Sequence, residues 1–166
     1  MRTPRMIAAA LLATAAAPSM GATGERGSEG VVREHAKPAV PGPADNFSGG
    51  KVTVRPIVDA SEIGHTGIGE VVFQRGARSN WHTHPGGQAL YIAQGCGWTQ
   101  RENGPVVKIC KGDTAYVPAG VKHWHGGTAT SGMTQLAITE MVDGKNVTWL
   151  EPVTDQQFAA GLRDAP

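Results

Sequence analysis

The stretch GARSNWHTHPGGQALYIAQG, residues 76–95, decides how this chain is read. It contains His82-Thr83-His84 between apolar segments punctuated by glycine. On a strand, side chains alternate faces with period two, so His82 and His84 share one face while Trp81 and Thr83 take the other. A second such pair, His123-Trp124-His125, lies downstream, so four of the six histidines fall in two short segments. Two strands that each carry two inward imidazoles bring nitrogen donors to one point, as a first-row transition metal requires. A lone His-x-His more often marks a surface cluster or polar core. Two of them, both flanked by Gly/Pro turns, favour a metal.

Outward from these segments the chain reads as many short strands. The candidates are 52–57, 68–75, 79–84, 89–94, 97–101, 106–111, 114–117, 123–126, 133–141 and 148–150, rich in Val, Ile, Thr and aromatics. They recur about every ten residues, the pattern of an all-β sandwich or barrel. Asn103-Gly104 is a strong hairpin signal, and Asp143-Gly144 is a similar turn. Only the tail reads as helix, with Thr154 and Gln157 spaced as a capping box ahead of Phe158–Leu162. The 23 glycines are therefore turn and bulge residues, since residues 23–44 hold only four of them.

The 166 residues allow one domain, preceded by two segments outside it. Residues 1–22 read as a secretory signal peptide: Arg2 and Arg5, then an apolar run from Met6 to Ala17, then small residues. That run is shorter than the roughly 20 residues a bilayer span needs. Residues 23–44, rich in Gly, Pro and charge, read as a flexible arm, and the folded domain is expected over 45–160. The formal charge is +1; losing the signal leaves 13 basic residues against 14 acidic ones. Nothing electrostatic favours a nucleic-acid partner. The mature chain is expected to be exported, periplasmic in a Gram-negative cell, and free of the membrane.

At this point the sequence resembles the cupin superfamily. The first cupin motif, G-x5-H-x-H-x3-4-E-x6-G, is matched by Gly76, His82, His84, Gln88 and Gly95. The second, G-x5-P-x-G-x2-H-x3-N, is matched by Gly112, Pro118, Gly120, His123 and Gly127. The departures are Gln88 for Glu and Gly127 for Asn. The resemblance implies a jelly-roll barrel, a double-stranded β-helix, with a short C-terminal helix. It also implies His82, His84, Gln88 and His123 as metal ligands. A neutral Gln donor would leave a divalent ion its full charge, weakening affinity and strengthening its Lewis acidity.

A narrower resemblance covers about residues 42–158. Trp81–Pro85, Gly95–Trp98, Lys122–Gly126 and Leu136–Ile138 are similar to the manganese-dependent hydroxynitrile lyases, the (R)-mandelonitrile lyase-like small cupins. Those enzymes also use Gln as the fourth ligand. The resemblance implies cleavage of a cyanohydrin to a carbonyl compound and hydrogen cyanide. It further implies a divalent transition metal, manganese first, with iron, zinc or nickel as alternatives. His125 faces the same side as His123 and is not needed as a ligand, so it is the candidate base; its other reading is a group that orients a ligand. Gln135 stands where the lyases carry a third pocket histidine, a proposed base. It cannot take a proton at neutral pH, and so puts lyase activity in doubt. The readings left open are a cupin dioxygenase or decarboxylase, and a non-catalytic small-molecule or metal binder.

Strand alternation groups Gly69, Val71 and Phe73, and also Gln135, Ala137 and Thr139, with Leu90 and Ile92 in phase with Gln88. Such small and apolar linings suit a small organic substrate. By analogy with single-domain cupins, the chain is expected to form a homo-oligomer. A hairpin turning at Asn103-Gly104 pairs Arg101 with Val106, which sets Cys96 opposite Lys111. The two cysteines then fall one step apart on opposite faces, so Cys96 is expected as a small buried residue rather than half of a bridge.

Overall fold

The computed structural model describes residues 37–61 and 64–164. The expected signal segment and most of the expected arm lie outside them. Twelve strands and one helix follow in order: β1 (Val40–Pro41), β2 (Phe47–Ser48), β3 (Val52–Val58), β4 (Thr66–Phe73), β5 (Arg78–Ser79), β6 (His82–Thr83), β7 (Gln88–Arg101), β8 (Val106–Cys110), β9 (Thr114–Val117), β10 (His123–Gly127), β11 (Met133–Glu140), β12 (Thr148–Trp149) and α1 (Asp155–Asp164). The expectation of an all-β chain with a C-terminal helix holds. One sheet runs β1-β3-β4-β11-β7-β9, and the other is β2-β5-β10-β7-β8 with β6 on β10 and β12 on β6. Every strand pairing among the described residues is antiparallel, and β7 belongs to both sheets.

The long β7 replaces two expected strands. Its first half pairs β11 and its second half pairs β10, so it carries the chain around the corner between the sheets. At the corner the β7–β11 register shifts, leaving Ala93 without a partner, and Gly95 takes φ 70°. A side chain on Gly95 would collide with the carbonyl oxygen of Gly132, so only glycine fits this bulge. Gly127, found where the cupin pattern has Asn, is equally constrained: a Cβ there would lie 2.6 Å from the Gln74 carbonyl oxygen.

Two apolar clusters fill the molecule. Val52, Val71, Phe73, Leu90, Ile92, Ile109 and Met133 pack together as one buried cluster. Trp81, Trp98, Val106, Trp124, Val153 and Phe158 form a second beneath α1. Trp81 and Trp124 alternate with the histidines, and the helix is what buries them. The capping box is present: Gln157 N–H donates to Thr154 Oγ1 at 3.1 Å, and Thr154 N–H donates to Gln157 Oε1 at 2.9 Å. Buried Arg78 donates to the Val153 carbonyl and lies 4.7 Å from the Phe158 ring centre, which fastens the helix.

Two expectations need correction. Residues 40–44 were expected in the arm, yet Val40 and Pro41 pair with Val54 and Thr53 of β3. Two residues are too few to show a period, and Pro41 serves as edge strand because it needs no N–H there. The cysteine register is also different. Gln100, not Arg101, pairs with Val106, because the turn takes in Arg101 through Pro105 with Asn103 at φ 60°. That one added residue sets Cys96 directly opposite Cys110, and the two are joined as a disulfide with Cα atoms 4.0 Å apart.

Candidate metal centre

The register builds the centre. His82 on β6 stands directly across from His123 on β10, so the two His-x-His segments meet side by side. Gln88 opens β7 opposite Thr139 of β11, and His84 follows β6. Ring centres are 4.2 Å apart for His82 and His123, 5.1 Å for His82 and His84, and 5.6 Å for His84 and His123. His82, His84, Gln88, His123 and His125 are all buried.

Three of the imidazoles are aimed in the same way. His82 Nδ1 meets the Asn80 carbonyl at 2.9 Å, His84 Nδ1 the Asn146 carbonyl at 2.5 Å, and His123 Nδ1 the Val121 carbonyl at 3.0 Å. A carbonyl only accepts, so each Nδ1 carries the proton and each Nε2 keeps a lone pair. This is how proteins hold metal-binding histidines. His84 Nε2 is buried with no protein partner. His123 Nε2 lies 2.9 Å from Gln88 Oε1. With the His123 proton on Nδ1, that contact sets one lone pair against another. A cation between them relieves it, so these residues fit a divalent metal.

Burial pushes the His82 and His125 pKa well below the usual imidazole value, and neighbouring imidazoles add to the effect. Burial likewise lowers His84, against its bond to Asn146, and pushes His123 down to about 4. At neutral pH all four rings are uncharged, the state in which imidazole binds metal.

His125 differs from the others. A ring nitrogen of His125 and one from each of His82 and His123 lie within 4.8 Å of one another. Its Nδ1, however, faces Gln135 Nε2 at 3.1 Å rather than a carbonyl. Gln135 itself is wholly buried behind His125 and does not line the cavity, contrary to its expected place in the pocket.

The centre opens into a cavity of about 520 Å³. Gly69, Val71, Ala137 and Thr139 line it as expected, whereas Phe73, Leu90 and Ile92 belong to the core. Sequence reasoning missed two further walls. Val40, Pro41 and Phe47 close one side, and Asn146, Val147 and Trp149 close another. Trp149 lies against His82 with ring centres 4.9 Å apart and planes tilted by 42°, and it meets Phe47 edge-on at 5.6 Å. Asn146 acts through its main-chain carbonyl, which leaves no mark in the sequence.

A β-barrel of two sheets sharing one strand, with buried imidazoles brought together from two paired segments, defines a small barrel protein with a candidate metal centre. The cupin domain model matches residues 69–139. The (R)-mandelonitrile lyase of Granulicella tundricola is 49% identical over 117 residues, which cover 70% of this chain and 88% of that one. The chain therefore belongs to the cupin family. Among solved structures, a cupin-like protein from Thermotoga maritima is 32% identical with a TM-score of 0.69, over 75% of this chain and 92% of its own. A polyketide cyclase from Streptomyces resistomycificus shares the fold at 12% identity and TM-score 0.60, over 78% and 91% of the two chains.

Proposed function

We propose that this cupin is an exported, metal-dependent lyase that cleaves a cyanohydrin-like substrate to an aldehyde or ketone and hydrogen cyanide. The observation that carries the reading is the meeting of His123 Nε2 with Gln88 Oε1 at 2.9 Å, beside His82 and His84, whose Nε2 atoms keep their lone pairs, next to a largely apolar cavity. The 49% identity to an (R)-mandelonitrile lyase supports the reaction type. His82, His84, Gln88 and His123 would hold the metal, manganese in the first instance. When bound, the ion supplies Lewis-acid stabilisation for the substrate atom on which negative charge develops. The protein's own part is to bind the organic group against Val71, Ala137 and Trp149, to exclude water, and to manage one proton. In the reaction the hydroxyl loses its proton, the carbon–carbon bond breaks, and the departing cyanide takes its electron pair and a proton. His125 is the ring that faces the cavity without being needed as a ligand.

The Cys96–Cys110 bond supports export, because disulfides persist in oxidising compartments. The homo-oligomer remains part of the proposal, supported by Tyr91 and Tyr116, which stand exposed as diagonal neighbours on β7 and β9.

Elemental analysis of the purified protein, followed by turnover of mandelonitrile, tests the reading. The expected result is one divalent ion per chain and cyanide release that disappears on chelation and in His82→Ala. Protein that purifies and remains metal-free, and binds no added manganese, overturns it. A second reading, a cupin dioxygenase or decarboxylase, is favoured by Gln135 standing in place of a base. Iron in the centre with oxygen uptake, and no cyanide release, would select it.

A further inference from the structure

We infer that Gln135 fixes His125 as its Nε2–H tautomer, making His125 a hydrogen-bond donor to a ligand in the cavity rather than a metal ligand or a proton acceptor at that nitrogen. A Gln amide nitrogen carries two hydrogens and no lone pair, so it donates. Gln135 Nε2 lies 3.1 Å from His125 Nδ1, so that Nδ1 must accept and holds no proton. In a neutral ring the single proton then sits on Nε2. The other three rings have the reverse arrangement, set by carbonyl oxygens at Asn80, Asn146 and Val121.

The Nε2–H of His125 has no acceptor among the described residues, although its side chain is buried and lines the cavity. A buried donor without a partner is destabilising, and a ligand acceptor atom would satisfy it. The chemical class it selects is a compact acceptor, such as a nitrile nitrogen, an alkoxide oxygen or a small anion. Within the group that His125 forms with His82 and His123, two rings offer lone pairs and His125 offers an N–H. Gln135 is a positioning residue, since it reaches the cavity only through His125. The inference holds whatever reaction the centre performs.

Nitrogen-15 NMR of the full chain tests it. The zinc-loaded, diamagnetic protein is labelled at histidine, and the ring nitrogens of His125 are assigned with His125→Gln. The expected spectrum has a protonated-type shift at His125 Nε2 and an unprotonated-type shift at Nδ1, opposite to His82, His84 and His123. A proton on His125 Nδ1 overturns the inference, and so does a zinc-type shift at His125 Nε2. Gln135→Glu, which replaces the donor with an acceptor, is expected to move the His125 proton to Nδ1. An unchanged tautomer in that variant would remove Gln135 from the role. Because the wild-type spectrum needs neither substrate nor turnover, failure of the lyase reading leaves this result standing or falling alone.

Discussion

Asn80, Asn146 and Val121 each give a main-chain carbonyl to an imidazole, and Gln135 gives an amide N–H. Four histidines of one residue type thus acquire two functions from the polarity of the atom behind them. This has a consequence for activity. Gln135→His places at that position a ring able to accept a hydrogen bond from His125 Nδ1–H, which favours the tautomer whose Nε2 is unprotonated and free to act as a base. Cyanohydrin cleavage is expected to rise, by as much as about 10²-fold, the lower end of what a general base contributes. The measurement is kcat for mandelonitrile with the metal content of both proteins matched. No gain, or a loss, would mean that Gln135 serves a chemistry other than the lyase reaction.

The element that organises the barrel is β7, which leaves one sheet and enters the other. Just past its bulge, Cys96 is bonded to Cys110 of β8. A cross-link between residues separated by 14 positions is expected to contribute about 3 kcal/mol by restricting the unfolded chain. The Cys96→Ala, Cys110→Ala double variant should therefore unfold at a clearly lower urea concentration, and intact-mass analysis should find the wild type two protons lighter before reduction than after. Equal urea midpoints would exclude a stabilising bridge. This pair also marks a limit of reading from sequence. Alternation placed the strands of the hairpin correctly, but facing partners depend on the turn, and one added residue there moves every partner by one. The β1 strand was hidden for a different reason: two residues carry no period, and their place on β3 is a long-range contact.

At the scale of the whole molecule, glycine spacing and the two His-x-His segments made the barrel and its centre readable. Gly76, Gly95, Gly112 and Gly120 all adopt positive φ, so the motif positions mark turns that only the backbone geometry explains. The pairing of His82 with His123 could be anticipated from two motifs, whereas the Asn146 carbonyl and the Trp149 wall could not, because they arrive from a distant hairpin. Enclosing four neutral imidazoles has an energetic consequence for the entire fold. Burial lowers the pKa of His82, His84, His123 and His125, in His123 to about 4, against the usual 6.5. Below about pH 6.5 the unfolded chain binds protons that the folded chain refuses, so stability rises with pH across that window. It is complete above the unfolded value and is lost as the pH falls toward the folded ones. Each such ring contributes a slope of up to about 1.4 kcal/mol per pH unit. A bound metal steepens the loss, since protons compete for the same lone pairs. The metal-free chain is expected to need much less urea to unfold at about pH 5 than at about pH 7.5, and the metal-loaded chain to show a larger difference still. Matching midpoints at the two pH values would mean that the imidazoles are solvated, and that the centre is not the closed, uncharged cluster its hydrogen bonds describe.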